Sequence, residues 1–450
     1  MFSTPRRDYP ILLAGDLALF YAALWLTLVL RYRSLPSSEF FIQHLIPFSI
    51  LFVVWVFVFL LAGLYDRQTI VFQVRMTEQI LFAQAVNIGL AAIFFFLIPY
   101  FGVTPKTVLA IYLVISSALI LIWRIALYQR LPTLRRDDAI LIGGGEEARQ
   151  LVQEFARWSR YPLAFVDVID TATVPPAAVE ERLREALQRS PDISTIVADT
   201  ADPVTISTLP VLYDVAFRSH RFAMTDMSDL YQDVFERVPL SRLRYDWILS
   251  RLGRPVLYDL VKRLIDILGG GIGCVLLAVA FPFIAVAVKL EGGGPVIIAQ
   301  DRVGRHLRPI RIFKFRSMTG SDRGDEAVKT RQRVTRVGRL MRRVHLDETP
   351  QFWNVLRGDL SLVGPRPELP ALVQHYAERI PYYHARHLVK PGMTGWARVR
   401  HRLDPHHGTD VAETKSKLAY DLYYLSRRSL VFDAYIILRT ISEVVTARGK

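Results

Sequence analysis

The chain has 450 residues, of which 51% are hydrophobic, and its formal net charge is +14 at pH 7. Its mean hydropathy of +0.24 is high for a soluble protein and indicates an integral membrane protein, because the apolar residues are gathered in long runs. The single cysteine, Cys274, excludes a disulfide framework and a cysteine-based zinc site. The basic excess suits an anionic partner, which leaves nucleic acid, an anionic membrane surface or a phosphorylated substrate.

Four apolar runs in the first third of the chain are long enough to cross a bilayer, which takes about 20 helical residues. They cover residues 11–30, 46–64, 80–101 and 108–127. The first follows Arg6 and Arg7 and is too long for a signal-peptide core, so we interpret it as a retained membrane helix. Basic residues near the first run, in the second loop and after the fourth run place both ends of a four-helix transmembrane bundle, residues 1–136, in the cytoplasm. Asp16 in the first run is a functional candidate by position, but nearby tyrosines favour hydrogen bonding within the bundle.

Residues 137–255 have the composition of a soluble Rossmann-like α/β domain. A short buried strand, a glycine turn and a helix follow one another, and residues 143–148 fit the G-x-G-x-x-A form of a dinucleotide fingerprint. Asp167 stands near the position of a ribose-binding acid. Glu146 and Glu147 open the same helix, however, and would repel a pyrophosphate there. We therefore predict this fold without a working cofactor site.

A fifth apolar run, residues 262–290, opens a predicted mainly helical, monotopic domain over residues 256–450. The run is long enough to cross the bilayer, but crossing would carry the arginine-rich end of the chain out of the cytoplasm. Pro282 and the glycine cluster at 269–273 favour a re-entrant helix instead, because a proline kink would let the segment enter one leaflet and return. Both arrangements remain open from the sequence.

Fourteen Lys or Arg residues and three acids lie between positions 302 and 343. A solvated or lipid-facing surface would account for such a run. In "IRIFKFRSM", however, Lys314 and Arg316 alternate with apolar residues, as in a strand at the edge of a pocket. Nucleic-acid binding would also combine basic and aromatic residues, but no helix-turn-helix, zinc-finger or RNA-binding signature accompanies them. We therefore predict no nucleic-acid partner.

The stretch "LDETPQFWNVLRGDLSLVGPRPE" predicts a short helix that begins at residues 349–351 and ends at Gly358. Asp347 and Glu348 lie at the positive end of this helix, where one acid would be an ordinary cap. Here there are two. Arg366 stands between two prolines, whose fixed backbone presents its guanidinium rigidly. Together these features suit a diphosphate bridged by a hard divalent cation.

The chain resembles the bacterial sugar transferase family, the polyprenyl-phosphate sugar-1-phosphate transferases, in the large form with four added spans and a Rossmann-like domain. The resemblance covers about residues 258–448 at the level of motifs and the rest at the level of layout. It rests on Lys262, Arg263 and Asp266 at the start of the fifth apolar run, followed by "FKFRSM", the stretch above, "KPGMTGWARV" and "YDLYYLSRRSL".

The resemblance implies that a UDP-sugar, most commonly UDP-glucose or UDP-galactose, donates its sugar-1-phosphate to undecaprenyl phosphate and releases UMP. This would be the first committed step of exopolysaccharide or related glycan synthesis. Asp347 would be the nucleophile that forms a covalent phosphosugar intermediate. Glu348 would hold Mg²⁺ with Asp347 or would transfer a proton. Pro282 would form the kink of the re-entrant helix. The residues implied for phosphate binding are Arg342, Arg366, Lys314 and Arg316 for the donor, and Lys262 and Arg263 for the lipid phosphate.

The resemblance also implies a multi-pass protein of the bacterial inner membrane, in contact with membrane lipid, with its catalytic domain in the cytoplasm. This arrangement is compatible with a homo-oligomer. The rival from another class is a membrane-anchored regulatory or scaffold protein whose Rossmann-like part senses a nucleotide. Two local features stay open: the polar loop with Asp404, His406, His407 and Asp410 is a metal site or an exposed loop, and the C-terminal helices lie at the lipid interface or pack in the core.

Overall fold

The computed structural model describes residues 9–62, 64–65, 73–97, 106–127, 137–158, 161, 163–190, 192–219, 222–245, 247–248, 256–292, 294–319, 333–343, 345–400 and 410–445. Residue contacts divide the chain into two compact units, Met1–Val234 and Phe235–Lys450. Arg6, Arg7 and the predicted domain boundary at residue 255 lie outside the described residues.

The first unit begins with long apolar helices: α1 Tyr9–Tyr32, α2 Ser38–Leu61, α3 Gln73–Leu97 and α4 Lys106–Leu121, which continues as a π-helical turn over Ile122–Leu127. Their buried faces share a core of aromatic side chains that includes Phe20, Phe52, Trp55 and Tyr112. Five helices of the described chain are long and apolar enough to cross a membrane, and four of them are these. The predicted apolar runs therefore correspond to helices over their described length, except for Ala62 and Leu64 in the turn after α2.

The Asp16 carboxylate is fully buried among these helices. Tyr65 donates a hydrogen bond to its Oδ2 over 2.9 Å, and Arg124 donates from Nε to its Oδ1 over 3.2 Å. The expected hydrogen bonding within the helices is confirmed, whereas the arginine partner was not foreseen. Both oxygens are satisfied, so the carboxylate has a structural explanation.

A four-stranded parallel sheet follows in the same unit, in the order β2-β1-β3-β4. Its elements are β1 Asp137–Ile142, α5 Gly145–Arg157, β2 Leu163–Ile169, α6 Pro176–Arg189, β3 Ile193–Ala198, α7 Pro203–Ser219, β4 Ala223–Asp226 and α8 Met227–Phe235. The near-continuous burial of β1 and β3 is expected of parallel strands covered by helices on both faces. This order is that of flavodoxin-type doubly wound sheets, a variant of the predicted Rossmann-like arrangement.

Acidic side chains surround the glycine turn between β1 and α5. A Cβ atom at Gly144 would lie 2.5 Å from Asp170 Oδ1, and one at Gly143 would lie 2.7 Å from Asp199 Cβ. Asp170 directly follows β2, the place where a ribose-binding acid would stand, whereas Asp167 lies within the strand. These carboxylates add to the two glutamates in the first turn of α5 and make the turn still less suited to a pyrophosphate.

The second unit is mainly helical, with three small two-stranded sheets. In chain order it contains a 3₁₀ turn Leu240–Arg242, α9 Val256–Glu291, β5 Ile297–Val303, a 3₁₀ turn Arg305–Leu307, β6 Pro309–Phe315, β7 Met318–Thr319, β8 Arg333–Val334, α10 Arg336–Arg343, a 3₁₀ turn Leu346–Glu348, α11 Gln351–Arg357, β9 Ser361–Val363, α12 Pro370–Ala377, a 3₁₀ turn Tyr383–Leu388, β10 Gly392–Thr394, α13 Trp396–Arg400, α14 Val411–Ser426 and α15 Leu430–Val445. Strands β5 and β6 form an antiparallel hairpin, and β9 pairs with β10 in parallel.

Helix α9 has two unlike faces. Gly269, Gly270 and Gly273 lie where α11 and β9 approach: a Cβ atom at Gly273 would clash with the Phe352 ring, and one at Gly269 would lie 2.6 Å from Leu362 Cδ1. Asp266, on the same face, accepts hydrogen bonds from the Ser361 hydroxyl and the Leu362 amide over 3.0 and 2.9 Å. The remaining surface is apolar and exposed, since only 11% of the most apolar window is buried. Three glycines of the cluster therefore serve close packing, whereas a Cβ atom at Gly271 would meet nothing within 4 Å. Helix α9 is one helix that includes Pro282.

Candidate active site

The carboxylate pair lies in the 3₁₀ turn that directly precedes α11. His345, which caps this turn, has a left-handed backbone (φ 55°), an uncommon conformation for a non-glycine residue. Asp347 is 8% exposed. Helix α11 ends at Gly358, whose φ of 89° suits glycine at a helix C-terminus. The predicted helix and the position of the pair at its N-terminus are confirmed.

Three cations surround the Glu348 carboxylate. Arg366 Nη2 donates a hydrogen bond to Oε1 over 2.8 Å, and Lys314 Nζ lies 3.5 Å from the same oxygen. Arg398 Nη1 lies 3.7 Å from Oε2. Burial would raise the pKa of Glu348, but the charges of these three residues outweigh it and hold that pKa well below the ordinary value. Glu348 is therefore a fixed anion that holds three cations in place.

Asp347 has the opposite electrostatic character. Burial raises its pKa, and the neighbouring charge of Glu348 raises it further, against the charges of Lys314, Arg342 and Arg366. Among the described residues no hydrogen bond or close ion pair engages its carboxylate. A buried, poorly solvated carboxylate with a raised pKa and open oxygens is a better nucleophile than an exposed aspartate.

Asn354 fixes strand β6 against α11, and sequence analysis missed it. Its Nδ2 donates to the Arg311 carbonyl over 2.7 Å, and its Oδ1 accepts from the Phe313 amide over 3.1 Å. This double contact places Lys314, the next residue of the strand, beside Glu348. Asn354 is fully buried, and a polar residue beside the apolar stripe of the predicted helix was the one available signal.

The loop that carries Arg366 is held by backbone contacts and by a buried arginine. The Gly392 amide of β10 donates to the Pro365 carbonyl over 2.9 Å. Arg386 Nη2 donates to the carbonyl of Arg366 itself over 3.1 Å. The "KPGMTGWARV" motif thus supports the proline-flanked arginine predicted from the sequence, whereas no local pattern singled out Arg386.

Arg386 belongs to a buried ionic network below this loop. Its Nη1 and Nη2 lie 2.7 Å from carboxylate oxygens of Glu368 and Asp421, respectively. Lys417 Nζ donates to Glu368 over 3.0 Å, and Tyr383 donates to it over 2.7 Å. Lys417 and Asp421 share a face of α14 with buried leucines. Charged residues on an apolar helix face indicate a buried ionic network, a signal that the sequence contains and that the sequence analysis missed.

Three of the predicted phosphate ligands are engaged away from Glu348, and a fourth, Arg342, is near Asp347. Arg316 donates to the carbonyls of Val288 and Gly292 at the end of α9. Arg263 donates to two carbonyls at the C-terminal end of α11, and Lys262 pairs with Asp433 over 2.7 Å. Arg342 acts electrostatically on Asp347 without a hydrogen bond to either member of the pair. The structure therefore brings together Asp347, Glu348, Lys314 and Arg366, with Arg342 near Asp347, and adds Arg398.

The two local features left open have different outcomes. Asp404, His406 and His407 lie outside the described residues, while Asp410 caps α14 by accepting from the amides of Ala412 and Glu413. Helix α14 packs in the core, as the burial of Leu418, Leu422, Tyr423 and Tyr424 shows.

A divalent cation would find one available carboxylate at this site. The Glu348 oxygens are already engaged by cations, whereas no described residue forms a hydrogen bond or close ion pair with the Asp347 carboxylate. Within the described part of the chain no group of three or more His, Cys, Asp or Glu residues suits a metal. Mg²⁺ commonly binds through one or two carboxylates and completes its shell with water and substrate phosphates. Asp347 fits such a site, and Glu348 fits it less well than the sequence suggested.

The family model for bacterial sugar transferases matches residues 257–447. The chain is 40% identical over 216 residues to the UDP-N-acetylgalactosamine-undecaprenyl-phosphate N-acetylgalactosaminephosphotransferase of Aeromonas hydrophila, which covers 47% of the chain and 50% of that protein. It is 40% identical over 195 residues to the UDP-glucose:undecaprenyl-phosphate glucose-1-phosphate transferase of Caulobacter vibrioides, covering 42% of the chain and 72% of the relative.

A third relative is the exopolysaccharide production protein PSS of Rhizobium leguminosarum bv. phaseoli, 41% identical over 202 residues, which are 43% of the chain and 98% of that protein. The match thus spans half of the Aeromonas protein and nearly all of the Rhizobium protein. The chain belongs to the bacterial sugar transferase family, as the motifs indicated.

Proposed function

We propose that this protein transfers a sugar-1-phosphate from a UDP-sugar to undecaprenyl phosphate and so initiates exopolysaccharide synthesis. The observation that carries the proposal is the difference between two adjacent carboxylates. Asp347 is buried and has a raised pKa, whereas three cations surround Glu348 and lower its pKa. The names of the relatives, which specify glucose or N-acetylgalactosamine as the transferred sugar, support the class of donor and acceptor.

In the first displacement an oxygen of Asp347 attacks the sugar-bearing phosphorus of the donor. The bond from this phosphorus to the bridging oxygen breaks, UMP leaves with that oxygen, and the phosphosugar remains on Asp347 as an acyl phosphate. The donor diphosphate concentrates negative charge. The proposed site places positive charge next to it, because Lys314, Arg366 and Arg398 surround Glu348, the neighbour of the nucleophile. Raising the pKa of Asp347 increases its basicity as a nucleophile.

In the second displacement a phosphate oxygen of undecaprenyl phosphate attacks the same phosphorus. The bond to Asp347 breaks, so the carboxylate is regenerated and the product is undecaprenyl diphosphate sugar. Two steps replace one direct reaction between two polyanions, which would repel each other. Mg²⁺ bound at Asp347 and at the donor phosphates would neutralise part of their charge.

We further propose that the first four apolar helices form a transmembrane bundle, residues 1–136, and that the α/β domain, residues 137–255, and the transferase domain, residues 256–450, lie in the cytoplasm at the bacterial inner membrane. Helix α9 would then re-enter the leaflet near Pro282, which keeps the pair on the side where UDP-sugars occur. Arg342 and Arg316 as donor ligands remain predictions. We do not include Lys262 and Arg263 as ligands of the reacting lipid phosphate, because Arg263 contacts the C-terminal end of α11, whereas Asp347 precedes its N-terminal end.

The test uses the full-length protein purified in detergent, undecaprenyl phosphate, and a panel of UDP-glucose, UDP-galactose and UDP-N-acetylgalactosamine. We expect UMP release with at least one donor, and loss of release in D347N. The matched control is D301N, because Asp301 is an exposed carboxylate of the same unit. With labelled donor and no acceptor, acid-quenched wild-type protein and D301N should retain label, and D347N should not.

Activity of D347N at the wild-type rate would refute the nucleophile. No turnover of any donor, together with nucleotide binding by the α/β domain, would favour the regulatory alternative.

A further inference from the structure

Two adjoining cavities in the C-terminal unit share the cations Arg305 and Lys390. Their volumes are about 530 and 110 Å³. The cations that line one or both cavities are Lys262, Arg263, Arg305, Arg308, Lys390 and Arg428. Such a concentration of positive charge in a concave surface is suited to an anion.

The cations at the centre of this surface lack acidic partners. Arg263 uses its guanidinium on the carbonyls of Val355 and Leu356, and among the described residues neither it nor Lys390 forms an ion pair. A Cβ atom at Gly358 would lie 3.3 Å from Arg263 Nη2 and 3.4 Å from Lys390 Nζ, so both nitrogens border the same small volume. Burial lowers the pKa of Lys390, and the charge of Arg263 lowers it further. An anion between the two would relieve this repulsion.

The acids near the cavities do not supply that anion. The Asp266 side chain is turned to β9, where it accepts from Ser361 and Leu362. Asp359 accepts a hydrogen bond from Asn354 over 3.2 Å. Asp259 also lines the smaller cavity and lies 3.7 Å from Arg428. The six cations therefore outnumber the three acids of the lining, and the two cavities keep a net positive charge.

The position of the cavity separates it from the carboxylate pair. Arg263 contacts the C-terminal end of α11, whereas Asp347 and Glu348 precede its N-terminal end. A seven-residue helix is roughly 10 Å long at 1.5 Å per residue. A phosphate held at Arg263 and Lys390 is therefore too far from Asp347 to react there.

We propose that this cavity binds the phosphate of an anionic phospholipid headgroup, as a ligand that is not a substrate. Phosphate oxygens accept paired hydrogen bonds from the planar guanidinium of arginine and single hydrogen bonds from the compact ammonium group of lysine. A phospholipid is favoured over free phosphate as the ligand, because Arg263 belongs to α9, an apolar helix. Its Leu260, Leu264 and Leu268 are 68, 57 and 59% exposed. These leucines recur every turn along one side of the helix and offer an apolar surface for acyl chains beside the headgroup.

The experiment measures equilibrium binding of a phosphatidylglycerol labelled on its acyl chain to the full-length protein in neutral detergent. Phosphatidylcholine with the same label, and competition by inorganic phosphate, distinguish a lipid from a free anion. The variants are K390Q and R305Q, and the matched control is R311Q, because Arg311 is an exposed arginine of the adjoining strand β6. Circular dichroism checks that each variant is folded.

We expect saturable phosphatidylglycerol binding that K390Q and R305Q each weaken by about tenfold, a loss of about 1.4 kcal/mol, while R311Q binds as the wild type. Phosphatidylcholine should bind at least about tenfold more weakly than phosphatidylglycerol. Full displacement of the lipid by millimolar phosphate would overturn the lipid assignment. Equal binding by K390Q, R305Q and the control would overturn the site itself. Neither outcome depends on turnover, so a failure of this proposal can be distinguished from a failure of the proposed reaction.

Discussion

Replacing Arg386 with methionine is expected to destabilise the C-terminal unit strongly. The Arg386 side chain is 2% exposed and lies 2.7 Å from carboxylate oxygens of both Glu368 and Asp421. The variant leaves two buried carboxylates with Lys417 as the remaining cation of the network. Removing one partner of a buried ion pair costs about 3–5 kcal/mol. In a unit of this size each kcal/mol lowers the melting temperature by about 2–4 °C, so a fall of about 6–20 °C is expected.

The pH dependence of this loss has a definite sign. In the wild type, burial raises the pKa of Glu368, but Arg386 and Lys417 outweigh it and hold that pKa below its ordinary value. Glu368 therefore stabilises the fold above its unfolded-state pKa, and this contribution is lost as pH falls through the folded-state pKa. Without Arg386 the folded-state pKa rises, so the ionised form becomes the destabilising one. The deficit of R386M should accordingly shrink as pH falls from about 8 toward about 5.

The assay is thermal unfolding of the full-length protein in detergent, followed by tryptophan fluorescence at several pH values. R379M is the control, since Arg379 is a half-exposed arginine paired with Glu378 on the surface and should shift melting by no more than about 2 °C. The double variant R386M/D421N carries one buried charge fewer and should melt above R386M. Melting of R386M within about 2 °C of the control, or a deficit that grows toward low pH, would refute this reasoning.

Three further predictions concern the pH profile of kcat/KM for UMP release. R342Q should move the acid limb to higher pH, because the charge of Arg342 lowers the pKa of Asp347; R343Q, which changes the exposed neighbour, should leave the limb in place. E348Q should move the residual activity's acid limb to lower pH, because the charge of Glu348 raises the pKa of Asp347; an unmoved limb would show that another group titrates. Burial lowers the pKa of Lys314, so activity should fall as alkaline pH deprotonates it. K314R, which keeps its charge, should lose that alkaline limb, and an unchanged profile would exclude Lys314 as its source.

The local features of the site could be predicted from the sequence because short-range rules determine them. Pro350 and Gly358 bound α11 as helix start and stop residues do, and β6 follows from the alternation around Lys314. The parallel sheet and the apolar helices follow from hydrophobic runs in the same way.

The partners across the fold could not be predicted, because they depend on contacts between residues far apart in sequence. Arg398 reaches Glu348 from 50 positions away and Asn354 reaches β6 from more than 40. Arg316 and Arg263 are predicted as phosphate ligands, and in the structure both donate to carbonyls at helix ends, which accept from a guanidinium just as phosphate oxygens do. A sequence does not distinguish these two kinds of oxygen. Nor does it distinguish a glycine that gives flexibility from one that allows close approach, as at Gly273.

Under the proposed membrane insertion of α9, the close contact between Gly273 and Phe352 would make the reaction depend on the physical state of the bilayer. The Phe352 ring occupies the space that a side chain on α9 would fill, so α9 and α11 cannot slide past each other without a clash. If α9 enters the membrane as proposed, the height of Asp347 relative to the lipid is therefore set by how deeply α9 is inserted. Hydrocarbon thickness changes how helices sit in a membrane. Under the proposed reaction, the thickness and composition of the host membrane would thus determine how readily the pair meets one substrate dissolved in water and another dissolved in lipid.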